Sequence, residues 1–183
     1  MEKDIIKQLI SWQKNKNKKP LLIKGARQIG KTYIIRKFGK QNYTSIAEIN
    51  FERQLDFAEF FQTTRDPQEF LLYLQLSFFD MTFDRNTLLF LDEIQTCPAA
   101  ITALKFLAED FPCDIICSGS MLGVAIANPP SFPVGYVETW DIHPLSFHEF
   151  LRVLKIESNI FATLQLAINQ QKPIPEMIHK KMN

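Results

Sequence analysis

Two short blocks carry side chains that can act together on a phosphate chain. The first, Gly25-Ala26-Arg27-Gln28-Ile29-Gly30-Lys31-Thr32, has the spacing G-x-x-x-x-G-K-T of a P-loop. Gly25 allows a sharp turn, and Gly30 lets the backbone approach phosphate oxygens with no side chain in between. The amides from Ala26 to Thr32 can then form an anion nest at a helix N-terminus, where orphan donors and the macrodipole favour negative charge. In that pattern Lys31 reaches the β- and γ-phosphates and the Thr32 hydroxyl ligates Mg²⁺. The second block ends the apolar run Thr87-Leu88-Leu89-Phe90-Leu91 with Asp92-Glu93. This is the Walker B pattern, in which Asp92 holds the Mg²⁺ shell and Glu93 orients or deprotonates the attacking water. A strand ending in two acids is a weak signal alone, and a P-loop alone arises by chance. In this order the two predict a bound nucleoside triphosphate.

Both blocks need buried strands behind them. Leu21-Leu22-Ile23 precedes the P-loop and the run 31–40 follows as a helix with Ile34, Ile35 and Phe38 inward. Residues 43–51 alternate as a second strand, with Ile46 and Ile49 as core candidates. Asp66-Pro67-Gln68-Glu69 starts a helix: Asp caps, Pro takes the first helical position and Glu follows three residues after the cap. Phe70, Leu71, Leu74 and Phe78 then share a face. Ile101, Leu104, Leu107 and Phe111 mark a helix over 99–111, and residues 114–118 a fourth strand. A polar residue at the end of the strand between the P-loop and Walker B strands is where ATPases place a γ-phosphate sensor. Ser118 and Ser120 are the candidates, although serines at strand ends are commonly turn formers. Residues 128–133 read as a Pro-rich loop and 137–142 as a fifth strand. Ser146-Phe147-His148-Glu149 is a capping box, with His148 on the first turn, and Ile160, Leu164, Ala167 and Ile168 follow a last helical pattern. Strands alternating with helices predict an α/β fold, a three-layer P-loop NTPase with a parallel sheet. Glu directly after Walker B puts it on the branch with one strand between the motif strands, giving the order 5-1-4-3-2 and the nucleotide at the carboxyl ends.

Composition sets bounds. The chain has 183 residues, 46% of them hydrophobic and sixteen of them Phe, enough for a large core and incompatible with disorder. A net charge of +1 gives no global indication of nucleic acid or an anionic membrane. No apolar run approaches a membrane span, and the N-terminus lacks a signal-peptide core. Cys97, Cys113 and Cys117 read as reduced structural thiols, in keeping with a cytoplasmic location. His143, His148 and His179 are scattered without metal-ligand spacing. Residues 3–13 form an apolar-striped helix with Ile5, Ile6, Leu9, Ile10 and Trp12. The Lys- and Asn-rich linker 14–20 reads as a solvated turn in preference to a nucleic-acid contact.

The blocks Gly25 to Thr32, Leu91-Asp92-Glu93-Ile94-Gln95, Ser118-Gly119-Ser120-Met121-Leu122-Gly123-Val124, Phe132-Pro133-Val134-Gly135 and Pro144-Leu145-Ser146-Phe147-His148-Glu149-Phe150-Leu151 together resemble the bacterial and archaeal AAA-type ATPases, most of which carry a C-terminal domain of unknown function. The resemblance implies ATP as the nucleotide, an AAA-like core and a cytoplasmic protein. Members are usually about twice this length, so the second domain is expected to be missing, and no function of that domain carries over. Where members commonly have a basic residue after the Phe-Pro-Val-Gly block, this chain has Tyr136. The resulting organisation is a helix and basic linker over 1–20, an AAA-type core over 21–156, and a helix with a shortened linker over 157–183. The leading expectation is an ATP- and Mg²⁺-binding domain that hydrolyses ATP slowly, since no Arg is an obvious arginine finger. Arg27 is expected to face solvent or a partner. Two rivals stay open: a nucleotide-dependent switch with negligible turnover, and a shortened product keeping only the core. The macromolecular partner is unassigned, and a homo-oligomer is compatible with the sequence.

Overall fold

In the computed structural model, residues 5–120, 132–144, 166, 167 and 169–171 are described. The chain divides into two compact units, Asp4–Pro144 and Leu145–Asn183 with Met1–Lys3. In the second unit, Gln170 N donates to Leu166 O at 3.0 Å, closing a helical turn. The expectations for residues 121–131, the capping box with His148, and most of the 160–168 helical pattern lie outside the described residues.

The first unit is built on five strands: β1 (Leu21–Lys24), β2 (Ser45–Asn50), β3 (Thr87–Asp92), β4 (Asp114–Gly119) and β5 (Glu138–Asp141). All four pairings are parallel, in the order β2-β3-β4-β1-β5. This is the order read from the sequence. Parallel neighbours cannot be joined by tight turns, so helices must cross over both faces. The strand period of two then sorts the side chains. Leu22, Ala47, Ile49, Leu89, Leu91, Ile115 and Cys117 face one core, packed by α3 (Leu55–Thr63), α4 (Pro67–Ser77) and α5 (Pro98–Asp110). Leu21, Ile23, Leu88, Phe90 and Ile116 face the other, packed by α1 (Ile5–Lys14) and α2 (Lys31–Asn42). β3 is buried along its whole length, which is why its sequence is a continuous apolar run.

The helix signals act as read. Asp66 caps α4, its side chain accepting from Gln68 N at 2.8 Å with Pro67 at the first position, a contact worth about 1 kcal/mol. Phe70 and Leu74 are its buried residues, and Phe111 ends α5 as its C-cap. In the second strand Ile49 is fully buried, whereas Ile46 is half-buried against the α2 face. The basic linker is the solvated turn expected, with residues 14–17 and Lys19 exposed, and a few contacts fix its end. Lys18 pairs with Asp114 at 3.1 Å, Lys19 donates to Gly135 O, and Trp12 Nε1 donates to Lys19 O at 3.1 Å. Cys97, Cys113 and Cys117 are free and buried. Burial pushes all three thiols up, Cys113 to about 12, so they stay protonated and inert near neutrality.

Candidate functional site

Parallel strands all end at one edge of the sheet, and the residues of both motif blocks gather there. The P-loop leaves β1 at Gly25. A Cβ on Gly25 would lie 2.4 Å from Ile142 O and 2.6 Å from Ile29 Cδ1. The crowding follows from the register, because Ile142 N donates to Lys24 O at 2.7 Å just beyond β5. Gly25 is therefore required by contact with backbone, which cannot swing aside. Gly25→Ala is expected to cost about 1–3 kcal/mol as an overpacking change, seen as a lower denaturation midpoint; an unchanged midpoint would show that β5 yields freely. Gly30 has a different reason to be glycine. It is the N-cap of α2 at φ 87° with open space around it, a left-handed conformation that disfavours a Cβ. Gln28 shares that region at φ 64° without being glycine.

No side chain caps α2 and no acid sits in its first turn, so its first amides remain for an anion. Lys31 is 6% exposed and its ammonium donates to Gly25 O at 2.8 Å and Ala26 O at 2.7 Å. Burial lowers its pKa, and the nearby Glu93 and Asp92 carboxylates oppose that shift. An anion on the loop would favour the charged form, so binding and protonation of Lys31 support each other. Ala26, Arg27 and Gln28 are exposed, and Ile29 is half-buried.

Thr32 and Asp92 lie 60 residues apart in sequence, and Thr32 Oγ1 donates toward Asp92 Oδ2 and Oδ1 at 3.3 and 3.4 Å. Asp92, 4% exposed, also accepts from Asn50 Nδ2 at 3.2 Å and from Ser118 Oγ. Glu93 sits just past the strand at φ 53°, ψ 41°, an uncommon conformation for a non-glycine residue and one associated with functional sites. Ser120 Oγ donates to Glu93 Oε2 at 3.4 Å and accepts from Arg27 Nε at 3.4 Å. The two candidate sensors thus separate: Ser118 is fully buried on Asp92, and Ser120 joins Glu93 to the P-loop. Tyr136 lies under Lys105, the ammonium 5.3 Å from its ring centroid.

A cleft of about 400 Å³ opens here, lined by Arg27, Gln28, Gly30, Lys31, Thr32, Tyr33, Glu52 and Glu93, within the range of small-molecule sites. Larger clefts of about 520 and 640 Å³ open elsewhere. Neither contains a residue of the two motif blocks. Chemistry rather than volume selects the site. Two residues of this cluster were not singled out for it from sequence, Asn50 and Gln95. Asn50 had a readable signal, because it ends the strand that pairs with Walker B, opposite Asp92 in register.

Comparison with known proteins agrees with this geometry. Residues 17–151 match the family model described as AAA domain, and the chain belongs to that family of nucleotide-binding ATPase domains. Among solved structures, a variant of RuvB from Thermotoga maritima is similar, with a TM-score of 0.50 at 16% identity over 85% of this chain. The chain spans about half the length of that protein, matching 50% of it. At that identity the likeness concerns the fold. No curated protein matches this chain in sequence. Among the described residues, no helix is long and apolar enough to cross a membrane.

Proposed function

We propose that this chain binds ATP with Mg²⁺ in the P-loop cleft and hydrolyses it slowly to ADP and phosphate. The observation that carries the proposal is the meeting of Thr32 with Asp92 beside Lys31 and Glu93. A hydroxyl and a carboxylate are hard oxygen donors, and Mg²⁺ is commonly held by one or two protein oxygens with phosphate and water completing its shell. Thr32 and Asp92 would hold the ion, which when bound neutralises phosphate charge. Lys31 and the loop amides stabilise charge developing on the β- and γ-phosphates, and Glu93 orients the attacking water and takes its proton. Ser118 and Ser120 stand as γ-phosphate sensors, Ser118 acting through Asp92 and Ser120 through Glu93. Arg27 is the single arginine lining the cleft among the described residues. It donates to Ser120, and an arginine finger can be worth about 10³ to 10⁵ in rate, so turnover by the isolated chain is slow. We assign the nucleotide-binding core to 21–156, with the helix and linker of 1–20 before it and a C-terminal helix and linker over 157–183 after it.

Thermal melting with and without Mg·ATP tests the reading. Ligand at a hundred times its dissociation constant stabilises by about 2.7 kcal/mol, a shift of several degrees for a domain of this size. Wild type is expected to shift and Lys31→Ala is not. A folded wild type that melts identically in both conditions overturns the proposal.

A further inference from the structure

We infer that Gln95 is a positioning residue for Glu93, an inference that rests on the ATPase reading above. Among the described residues, Gln95 Oε1 is the one buried side-chain oxygen or nitrogen without a hydrogen-bond partner. A buried amide left half-satisfied costs stability, and an apolar side chain there would avoid the cost. The other half of the amide shows what is gained. Gln95 Nε2 donates to Glu93 Oε2 at 2.5 Å and lies 3.5 Å from Ser120 Oγ. Exchanging the amide nitrogen and oxygen would set an acceptor against the carboxylate, so the orientation is fixed by its neighbours. Gln95 itself sits in the single 3-10 turn Ile94–Thr96. That turn is anchored by Thr96 N on Glu93 O at 3.0 Å and Thr96 Oγ1 on the same oxygen at 2.8 Å.

The consequence for Glu93 is directional. Both side-chain donors, Gln95 Nε2 and the more distant Ser120 Oγ, converge on Oε2. Oε1 receives no donor from a described residue and is left for water. A carboxylate held at one oxygen keeps its plane while the other oxygen accepts a proton, and small errors in that placement cost about 10²-fold in rate. Arg27 Nε on Ser120 ties the same cluster to the P-loop.

Gln95→Met, which keeps length and removes hydrogen bonding, tests this in the full chain. Its kcat is expected to fall about 10- to 100-fold with KM for ATP unchanged. Its melting temperature should stay close to wild type, because loss of the bond to Glu93 is offset by removal of the orphan oxygen. A merely structural role would lower melting temperature and kcat together, and that result, or an unchanged kcat, overturns the inference. Ser120→Ala provides a second, independent variant. It removes the weaker donor to the same oxygen, so it should lower kcat by a smaller factor, and no loss overturns the shared hold on Oε2. Adding Gln95→Met to Glu93→Gln should cost nothing further; an additional large loss would place Gln95 outside this pathway. Wild type that binds Mg·ATP without turnover sinks the ATPase reading and this inference with it. Wild-type turnover that Glu93→Gln abolishes and Gln95→Met leaves intact sinks this inference alone.

Discussion

Glu93→Gln is expected to bind Mg·ATP at least as tightly as wild type and to hydrolyse it about 10² to 10⁴ times more slowly, the range for loss of general-base assistance. The substitution is close to isosteric. The amide oxygen can still accept from Gln95 and Ser120, which now donate to Glu93 Oε2, and the backbone at φ 53° is no more strained by Gln than by Glu. Folding should therefore be unaffected. Binding should hold or improve, because a negative charge beside the cleft is removed. The amide cannot take the proton from water, so the chemical step alone suffers. Calorimetric titration with ATP paired with a phosphate-release assay separates the two effects. Unchanged phosphate release would remove Glu93 from the mechanism, and a loss of affinity equal to the loss of rate would make it a binding residue.

The parts of this molecule that were legible in sequence are those whose information is local. The P-loop could be read because a glycine, a second glycine and Lys-Thr must stand at fixed spacing to fold around a phosphate. β3 could be read because a strand buried on both faces has to be apolar throughout. The strand order followed from Glu93, a single residue after Asp92, and the observed sheet has that order. What stayed hidden is what depends on two distant segments meeting. The reading of Gly25 as a turn former was incomplete, since its close neighbour is Ile142, which nothing near residue 25 announces. Asn50 lies inside the strand expected over 43–51, and the predicted order sets that strand beside Walker B, but its register opposite Asp92 is fixed only when β2 and β3 meet. Gln95 closes the block Leu91 to Gln95, but nothing in that block assigns it a role, which rests on its bond to Glu93 and its unpaired oxygen in the folded chain. The lysine-rich linker is solvated as its composition indicates, but the contacts by which Lys18 and Lys19 tie it to β4 and to the turn before β5 are not readable from it. Composition reports average exposure and is blind to single partners.

Asp92→Asn should separate metal binding from folding. Asp92 is buried and accepts from Thr32, Asn50 and Ser118, so its removal to Ala would strand several donors at once. Asn keeps the shape and one acceptor oxygen. The Thr32 and Ser118 hydroxyls can rotate to accept from the new amide, and the Asn50 amide can turn over. The folding cost is then expected to stay within about 1–3 kcal/mol, reduced by the loss of a buried charge. Nucleotide binding in chelator should survive, because Lys31 and the loop amides are untouched. The extra stabilisation that Mg²⁺ adds to ATP should vanish, since a neutral amide is a poor ligand for a small hard cation. Turnover should fall below detection for the same reason. Melting curves with ATP in chelator and with ATP in Mg²⁺ give the two increments directly. A Mg²⁺ increment equal to that of wild type would exclude Asp92 from the metal site and leave it a structural hub for β2, β3 and β4. Loss of both increments in a folded protein would show instead that Asp92 sets the P-loop itself. It could do so through Thr32 and through its field on Lys31, whose charged form Asp92 and Glu93 together sustain against burial.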